Sequence, residues 1–223
     1  QMVELQNYYQ TDLLCVGYYV DTDEKCVPAN EGQKPNCMDR VTAQQALLIP
    51  PKMGGFAWNK LYHLDIIREH KLRFLDDVGT TEDLEFAFHY LKYCDTVCFV
   101  PSTRLYHYYQ RSGAATHSEF SIKKMETIRT YEKIIESSEN DKLVQAAKEE
   151  ICNTAINLIW QYQNSNLQDK AALKKLQRYA RCYLKDYLKS AQYGKGRKQQ
   201  AIMACYMPAV YAFLKNRVTK DGE

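Results

Sequence analysis

Residues 13–20 read LLCVGYYV, a short apolar run rich in aliphatic and aromatic side chains. Runs of this length and composition are typical of buried β-strands. Two further runs of this kind follow at residues 96–100 and 104–109, and Pro101-Ser102 between them is expected to separate two strands. The first part of the chain is therefore predicted to form a β-sheet.

Helical patterns lie between these runs. Three helices are predicted from apolar residues at helical spacing: residues 41–49, the stripe Trp58, Leu61, Tyr62 and Ile66, and the stripe Leu84, Phe88 and Leu91. Pro50-Pro51 is expected to end the first of them. Strands and helices mixed in this way indicate an α/β or α+β layer structure.

From residue 118 onward the pattern is helical almost throughout. Asp141 is the predicted N-cap of a long helix, residues 163–169 form a turn, and Gly194 precedes a last apolar stretch. We therefore divide the chain into an α/β region, residues 1–117, and an all-α region, residues 118–223.

Composition excludes several classes of protein. The 223 residues are 45% hydrophobic and include 18 Tyr and 7 Phe, which excludes intrinsic disorder, and 9 Gly exclude a collagen-like chain. The net charge of +3 conceals an uneven distribution. Residues 1–117 carry 11 Lys+Arg and 15 Asp+Glu, a net of −4, whereas residues 118–223 carry 19 and 12, a net of +7.

The eight cysteines show no C-x-x-C pair, which argues against a zinc ribbon or a redox motif. Reduced cytoplasmic thiols are favoured over a disulfide framework, because such frameworks serve mainly small secreted domains. No apolar stretch reaches the roughly 20 residues that a membrane span needs. The nearest, AIMACYMPAVYAFL at residues 201–214, contains Pro208.

The stretch GGFAWNKLY at residues 54–62 is the most informative motif. Its two glycines allow a close backbone approach or a tight turn. Trp58 can stack on the apolar face of a sugar ring, and the alternative is that it is the first core residue of the predicted helix. Spacing alone favours the core interpretation.

A second motif is the run Thr80-Thr81-Glu82-Asp83. Thr80 as N-cap with Asp83 three residues later is a variant of the capping box, and local sequence favours this structural interpretation. The functional alternative is a pair of carboxylates at a helix N-terminus that faces a cleft, where one could act as a general base.

A third motif is LYHYYQRS at residues 105–112, in which a strand carries His107 and then Arg111. These two side chains could face a diphosphate or a metal ion, although a single strand histidine is more often structural. No P-loop, G-x-G-x-x-G, G-x-S-x-G or H-E-x-x-H motif is present.

Taken in order, these motifs resemble the C-terminal half of bacterial family 2 glycosyltransferases of the GT-A fold, which build capsule, exopolysaccharide and cell-wall glycans. The resemblance covers roughly residues 10–118 and depends on the order and spacing of four elements: G-G-F-A-W-N-K-L-Y, H-K-L-R-F, T-E-D-L-E-F and L-Y-H-Y-x-Q-R. It implies a partial GT-A domain, a Rossmann-like mixed sheet with helices.

The resemblance also implies roles for individual residues. Asp83 would be the base that deprotonates the acceptor hydroxyl in inverting transfer from a nucleotide-sugar, with Glu82 in support. Residues implied in acceptor binding are Trp58, Lys60 and Tyr62. His107 and Arg111 would lie near the donor diphosphate, with His107 a candidate metal neighbour.

The chain departs from this family at one important point. The nucleotide-binding half, with its D-x-D motif for Mn²⁺ or Mg²⁺, is not found here, and Asp21-Thr22-Asp23 matches a hairpin turn. The chain begins Gln1-Met2 and is expected to be a segment that binds no metal and transfers no sugar by itself. The alternative function is a non-catalytic module that binds glycan, lipid or protein.

The basic tail offers two interpretations of equal weight. Basic residues flank its apolar stretch, namely Lys195, Arg197, Lys198, Lys215, Arg217 and Lys220. They suit an interfacial helix on anionic lipid, so residues 195–220 could place a cytoplasmic protein on the inner membrane face near lipid-linked acceptors. The other interpretation is a core helix with a solvated basic face. A nucleic-acid partner is not expected, since no binding motif accompanies the charge.

Overall fold

A computed structural model describes residues 1–49, 52–74, 81–110, 120–167 and 169–220. Residues 218–220 are described by their backbone only. The chain divides into two compact units, Gln1–Ser118 and Glu119–Glu223. The first contains a mixed sheet with helices, and the described part of the second is helical. The general prediction of an α/β structure followed by a helical region is therefore confirmed.

The first unit is organised around one long strand pair. Its elements are α1 (Met2–Tyr9), β1 (Leu13–Asp21), β2 (Cys26–Pro28), β3 (Asn36–Met38), α2 (Arg40–Leu48), β4 (Lys60–Tyr62), α3 (Leu64–Glu69), α4 (Glu82–Leu91) and β5 (Val97–Tyr109). The strand order is β2-β1-β5-β3, and β4 also pairs with β1. β1 and β5 are parallel, whereas the other pairs are antiparallel.

Strand β5 continues through Pro101-Ser102, where the sequence predicted a break between two strands. The β1–β5 register instead shifts around Gly17, which accommodates the proline without ending the strand. A Cβ atom at Gly17 would collide with the carbonyl oxygen of Pro101. Glycine at this position therefore allows the two strands to remain paired across the irregularity.

The helix predicted from Trp58 to Ile66 is wrong in its first half. Residues Lys60–Tyr62 form strand β4, which pairs with Leu13–Cys15 of β1, and the helix begins only at Leu64. Pairing with β1 satisfies the backbone hydrogen bonds of this segment, so the tertiary partner overrides the local apolar spacing. The predictions for α2 and α4 are confirmed.

Both faces of the central strand pair are covered by apolar groups. On one face, Leu14 and Cys98 belong to a buried cluster against which Met2 and Leu5 of α1 pack. The alternate residue Cys15 is also fully buried. A strand buried on both faces is expected to be continuously apolar, and the run LLCV at the start of β1 has this pattern.

One disulfide, Cys37–Cys98, joins β3 to β5 and corrects the expectation that all thiols are reduced. The two cysteines are directly opposite each other in the antiparallel β3–β5 pairing. Sequence reasoning missed the bond because 61 residues separate the partners and only the sheet brings them together. The other six cysteines are free.

The second unit consists of a 3₁₀ turn and five helices within its described residues: the turn Ile122–Met125, α5 (Glu126–Ser137), α6 (Asp141–Gln163), α7 (Lys170–Lys189), α8 (Lys195–Tyr206) and α9 (Pro208–Lys220). The N-cap of α6 is Asn140, one residue before the predicted Asp141. The last apolar stretch forms two helices because Pro208 starts α9. Among the described helices, none has the length and apolar character to cross a membrane.

Candidate functional site

The loop between α2 and β4 is held against the start of α4. Gly54 adopts a left-handed conformation with φ of 65°, which forms the tight turn that its sequence allowed. A Cβ atom on Gly55 would lie only 2.7 Å from Leu84 Cβ and 2.9 Å from Leu84 Cα. Both glycines are therefore needed, one for the turn and the other for the close approach to α4.

The side chain of Lys60, the first residue of β4, extends into the interior of this loop. It is buried, and its Nζ donates hydrogen bonds to Gly54 O at 2.7 Å, Phe56 O at 2.6 Å and Asn59 Oδ1 at 3.0 Å. Burial lowers the pKa of Lys60, opposed by nearby acidic groups. The ammonium group thus holds the loop in place through hydrogen bonds to its carbonyl oxygens. The role of Lys60 in acceptor binding stays a prediction.

Asp83 links α4 to the same loop. Its Oδ2 accepts a hydrogen bond of 3.1 Å from the backbone N–H of Ala57. The N-cap of α4 is Thr81, one residue after the predicted Thr80, which is outside the described residues. Glu82 Oε2 is buried, and the described residues offer it no hydrogen bond. The two carboxylates therefore have different environments at the first turn of α4.

Trp58 lies at the centre of a group of rings that we call the aromatic cluster, formed by Tyr18, Phe56, Trp58, Tyr106 and Tyr108. The Trp58 ring stacks on Phe56 at a centroid distance of 5.1 Å, on Tyr106 at 4.5 Å and on Tyr108 at 5.7 Å. Tyr18 meets it edge-on at 4.8 Å. Trp58 is half-buried and Tyr106 is 39% exposed, so the cluster reaches the surface.

Tyr62 faces the interior rather than the solvent. Its ring packs edge-on against Phe86 and Tyr90, and burial raises the pKa of its hydroxyl. The hydroxyl oxygen is buried and makes no hydrogen bond with the described residues. The implied contact of Tyr62 with an acceptor remains a prediction, and the structure packs its ring against α4.

His107 belongs to a different group of residues. Its Nδ1 lies 2.8 Å from Asp21 Oδ2, and its ring stacks on Tyr19 at 4.9 Å. A hydrogen bond from Cys26 is the largest cause of a lowered pKa of Asp21, desolvation opposes it, and His107 lowers it further. The turn predicted for Asp21-Thr22-Asp23 is confirmed, since Thr22 N–H donates to Lys25 O at 2.8 Å.

The sheet separates the aromatic cluster from the group formed by His107, Tyr19 and Asp21. Successive side chains of a strand point to opposite faces, so His107 points away from Tyr106 and Tyr108 on either side of it. The latter two contact Trp58, whereas His107 contacts Tyr19 and Asp21. The structure thus brings Trp58 and Asp83 to one region, but it does not bring His107 there. Arg111 is outside the described residues.

Sequence reasoning did not identify Asp21 and Cys26 as neighbours of His107. Asp21 lies in a motif that is typical of a hairpin turn, and Cys26 has no cysteine or histidine at ligand spacing in the sequence. The pairing of Asp21 with Cys26 across β1 and β2 becomes visible only when the hairpin register is known.

No protein-family model matches the chain, and no curated protein matches it either.

The Mg²⁺ or Mn²⁺ that the resemblance implies would need oxygen ligands. Within the described residues, the one cluster that offers three potential ligands is Asp21, Cys26 and His107. A thiol and an imidazole are poorly suited to those two ions. This cluster therefore does not fit such a site, and the proposed function derives no step through a metal.

Proposed function

We propose that the chain forms the acceptor-binding half of an inverting glycosyltransferase with a GT-A fold, with the aromatic cluster as the sugar platform and Asp83 as the general base. The observation that carries the proposal is the hydrogen bond between Asp83 Oδ2 and Ala57 N–H, which holds a carboxylate one residue from Trp58. The order and spacing of the four sequence motifs support the same function.

The aromatic cluster supplies the binding chemistry. An indole ring that reaches the surface can pack against the C–H face of a pyranose. The phenol of Tyr106, which is 39% exposed, extends the platform beside Trp58. A sugar bound there would place its hydroxyl groups close to the loop that contacts Asp83.

Asp83 supplies the proton acceptor. The helix dipole favours negative charge in the first turn of α4, where Asp83 lies. Since the Ala57 N–H occupies Oδ2, Oδ1 is the oxygen proposed to take the acceptor hydroxyl proton. The hydroxyl oxygen then bonds to the anomeric carbon with inversion, while the bond to the nucleoside diphosphate breaks and its electron pair leaves with the diphosphate.

A catalytic test separates this function from the alternative of a glycan-binding module without transfer. Asp83→Asn is expected to abolish transfer from nucleotide-sugars in the full-length protein, while glycan binding is retained. Asp65→Asn is the matched control, because Asp65 is an exposed carboxylate in the first turn of α3. Transfer at the control rate by Asp83→Asn would contradict the role of base. Glycan binding by a wild-type protein that transfers no sugar would support the binding module.

A binding test uses the fact that the chain contains only two tryptophans. In a Trp160→Phe variant, Trp58 is the single tryptophan, and its fluorescence is expected to change when oligosaccharides are titrated. Replacing Trp58 by Leu is expected to abolish binding in a calorimetric titration. Unchanged Trp58 emission at saturating glycan would remove the aromatic platform from the proposal.

For the second unit, an exposed apolar surface favours an anionic membrane as partner. Six residues of α8, α9 and their junction are 40–60% exposed: Ile202, Tyr206, Met207, Val210, Phe213 and Leu214. Residues 187–220 contain seven Lys+Arg and no Asp or Glu. Apolar groups among positive charges suit the interface of an anionic lipid bilayer.

Co-sedimentation with phosphatidylserine vesicles tests this partner. The double variant Val210→Glu/Phe213→Glu is expected to lose vesicle binding at low salt. The control is Val3→Glu/Tyr8→Glu, which adds the same charges at exposed apolar positions of α1. Equal binding by both variants, or wild-type binding to phosphatidylcholine alone, would contradict an electrostatic and apolar interface at α8 and α9.

A further inference from the structure

The face of the sheet opposite the aromatic cluster carries a cluster of metal-ligand type that the proposed function does not use. Asp21 ends β1, Cys26 begins β2, and His107 lies on β5. The ligand atoms of these three residues all lie within 4.8 Å of one another. We call them the Asp-Cys-His cluster.

Strand pairing fixes the positions of all three residues. Asp21 is directly opposite Cys26 in the β1–β2 pairing. Tyr19, two residues before Asp21 and on the same face, is directly opposite His107 in the β1–β5 pairing. The backbone ladder therefore arranges the three side chains before any ligand binds, which reduces the ordering cost of binding an ion.

An unused hydrogen-bonding group points to a missing partner. The Asp21 side chain is only 10% exposed. Its Oδ2 lies 2.8 Å from His107 Nδ1, and the Cys26 thiol is the other hydrogen-bonding partner of the carboxylate. Its other oxygen, Oδ1, is buried and has no hydrogen bond to any described residue. A buried carboxylate oxygen without a partner is costly, and a bound cation would satisfy it.

The ligand atoms identify the class of metal. An imidazole nitrogen, a carboxylate oxygen and a thiolate sulfur are all ligands of Zn²⁺, with bonds of about 2.0–2.3 Å. In a tetrahedral site such bonds separate ligand atoms by about 3.3–3.6 Å. The 2.8 Å contact between His107 and Asp21 would therefore open by a few tenths of an ångström.

We propose that Asp21, Cys26 and His107 form a zinc site with three protein ligands and a fourth position open to water. His107 and Cys26 are both exposed, so an ion can reach the site from solvent. Bound zinc would link the β1–β2 hairpin to β5. The site does not depend on the proposed glycosyltransferase activity.

Co²⁺ is the probe for the test, because a cysteine ligand gives a thiolate-to-metal charge-transfer band and Zn²⁺ displaces the probe. The wild-type chain is titrated without reductant, so that Cys37–Cys98 stays closed and adds no thiols. We expect a band that saturates at one Co²⁺ per chain and disappears when Zn²⁺ is added.

The variants assign the ligands. Cys26→Ser is expected to abolish the band, and His107→Gln and Asp21→Asn are expected to weaken Co²⁺ affinity by at least about tenfold. The matched control Cys182→Ser removes another exposed, free cysteine and should leave the titration unchanged. Far-ultraviolet circular dichroism establishes that each variant is folded.

Two results would overturn the proposal. One is a wild-type titration with no thiolate band, and the other is a band that Cys26→Ser retains. If Cys26→Ser does not fold, Asp21→Asn and His107→Gln decide the question, and unchanged Co²⁺ affinity in both would also overturn it.

Discussion

Gly55 sets the distance between the loop and α4. A methyl group there would press on Leu84, and neither backbone can move without disturbing the hydrogen bond between Ala57 and Asp83. We expect Gly55→Ala to lower the free energy of unfolding by about 1–3 kcal/mol in urea titrations. Gly196 is the control because it lies within α8 with open space around it. Gly196→Ala should be neutral or stabilise by about 0.5–1 kcal/mol. Equal effects of the two variants would contradict the close approach at Gly55.

Lys215 should make stability depend on pH. Its Nζ lies 4.1 Å from the centroid of the Trp160 ring, and burial lowers its pKa to about 8. Between about pH 8 and about pH 10.4 the unfolded chain then binds more protons at this lysine, so stability rises with pH across that window. The difference in unfolding free energy between wild type and Lys215→Met should therefore shift in favour of wild type as the pH rises. Lys189→Met, at an exposed lysine, is the matched control for the substitution itself. Parallel curves for wild type and Lys215→Met would contradict the lowered pKa.

At the scale of elements, strand β3 depends on its covalent bond to β5. β3 has only three residues, and the structure pairs it with β5 alone. A disulfide that closes a loop of about 60 residues restricts the unfolded chain, so Cys37→Ser is expected to cost about 2–5 kcal/mol of unfolding free energy. Urea titrations without reductant measure this, with Cys182→Ser as the control. The same titrations under reductant should bring wild type close to Cys37→Ser. If Cys37→Ser is as stable as wild type, β3 does not depend on the disulfide to β5.

Elements with strong local patterns were predicted well, and those that depend on a distant partner were not. The apolar run of β1 and the stripe of α4 are encoded in their own residues, and both predictions are confirmed. β4 is a strand because β1 lies beside it, and β5 continues past Pro101 because β1 shifts register at Gly17. No window of local sequence contains that information.

At the scale of the first unit, the sheet separates two candidate sites. The aromatic cluster and the Asp-Cys-His cluster lie on opposite faces of β1 and β5, so binding at the two is expected to be independent. Trp58→Leu should leave Co²⁺ affinity unchanged, and Cys26→Ser should leave the glycan affinity unchanged, both measured by calorimetry. Effects of either variant on both ligands would show that the sites are coupled through the strands.

Trp58 and Asp83 could be selected from the sequence, because each lies in a short motif with distinctive residue types, and the structure places both at the same loop. Their roles in binding and catalysis stay predictions. Alternation along β5 could have indicated that His107 faces away from Tyr106 and Tyr108. The partners of His107 could not be predicted, since Asp21 is 86 residues away and Cys26 is 81 residues away in the chain. Only the parallel pairing of β1 with β5 shows that they meet.

The Cys37–Cys98 bond also makes a closed ring from part of the chain. Five of the predicted site residues lie within this ring: Trp58, Lys60, Tyr62, Glu82 and Asp83. His107 lies beyond it. A protease that cuts once inside the ring would leave a nicked molecule of unchanged mass apart from one added water, and its two pieces would separate only on reduction.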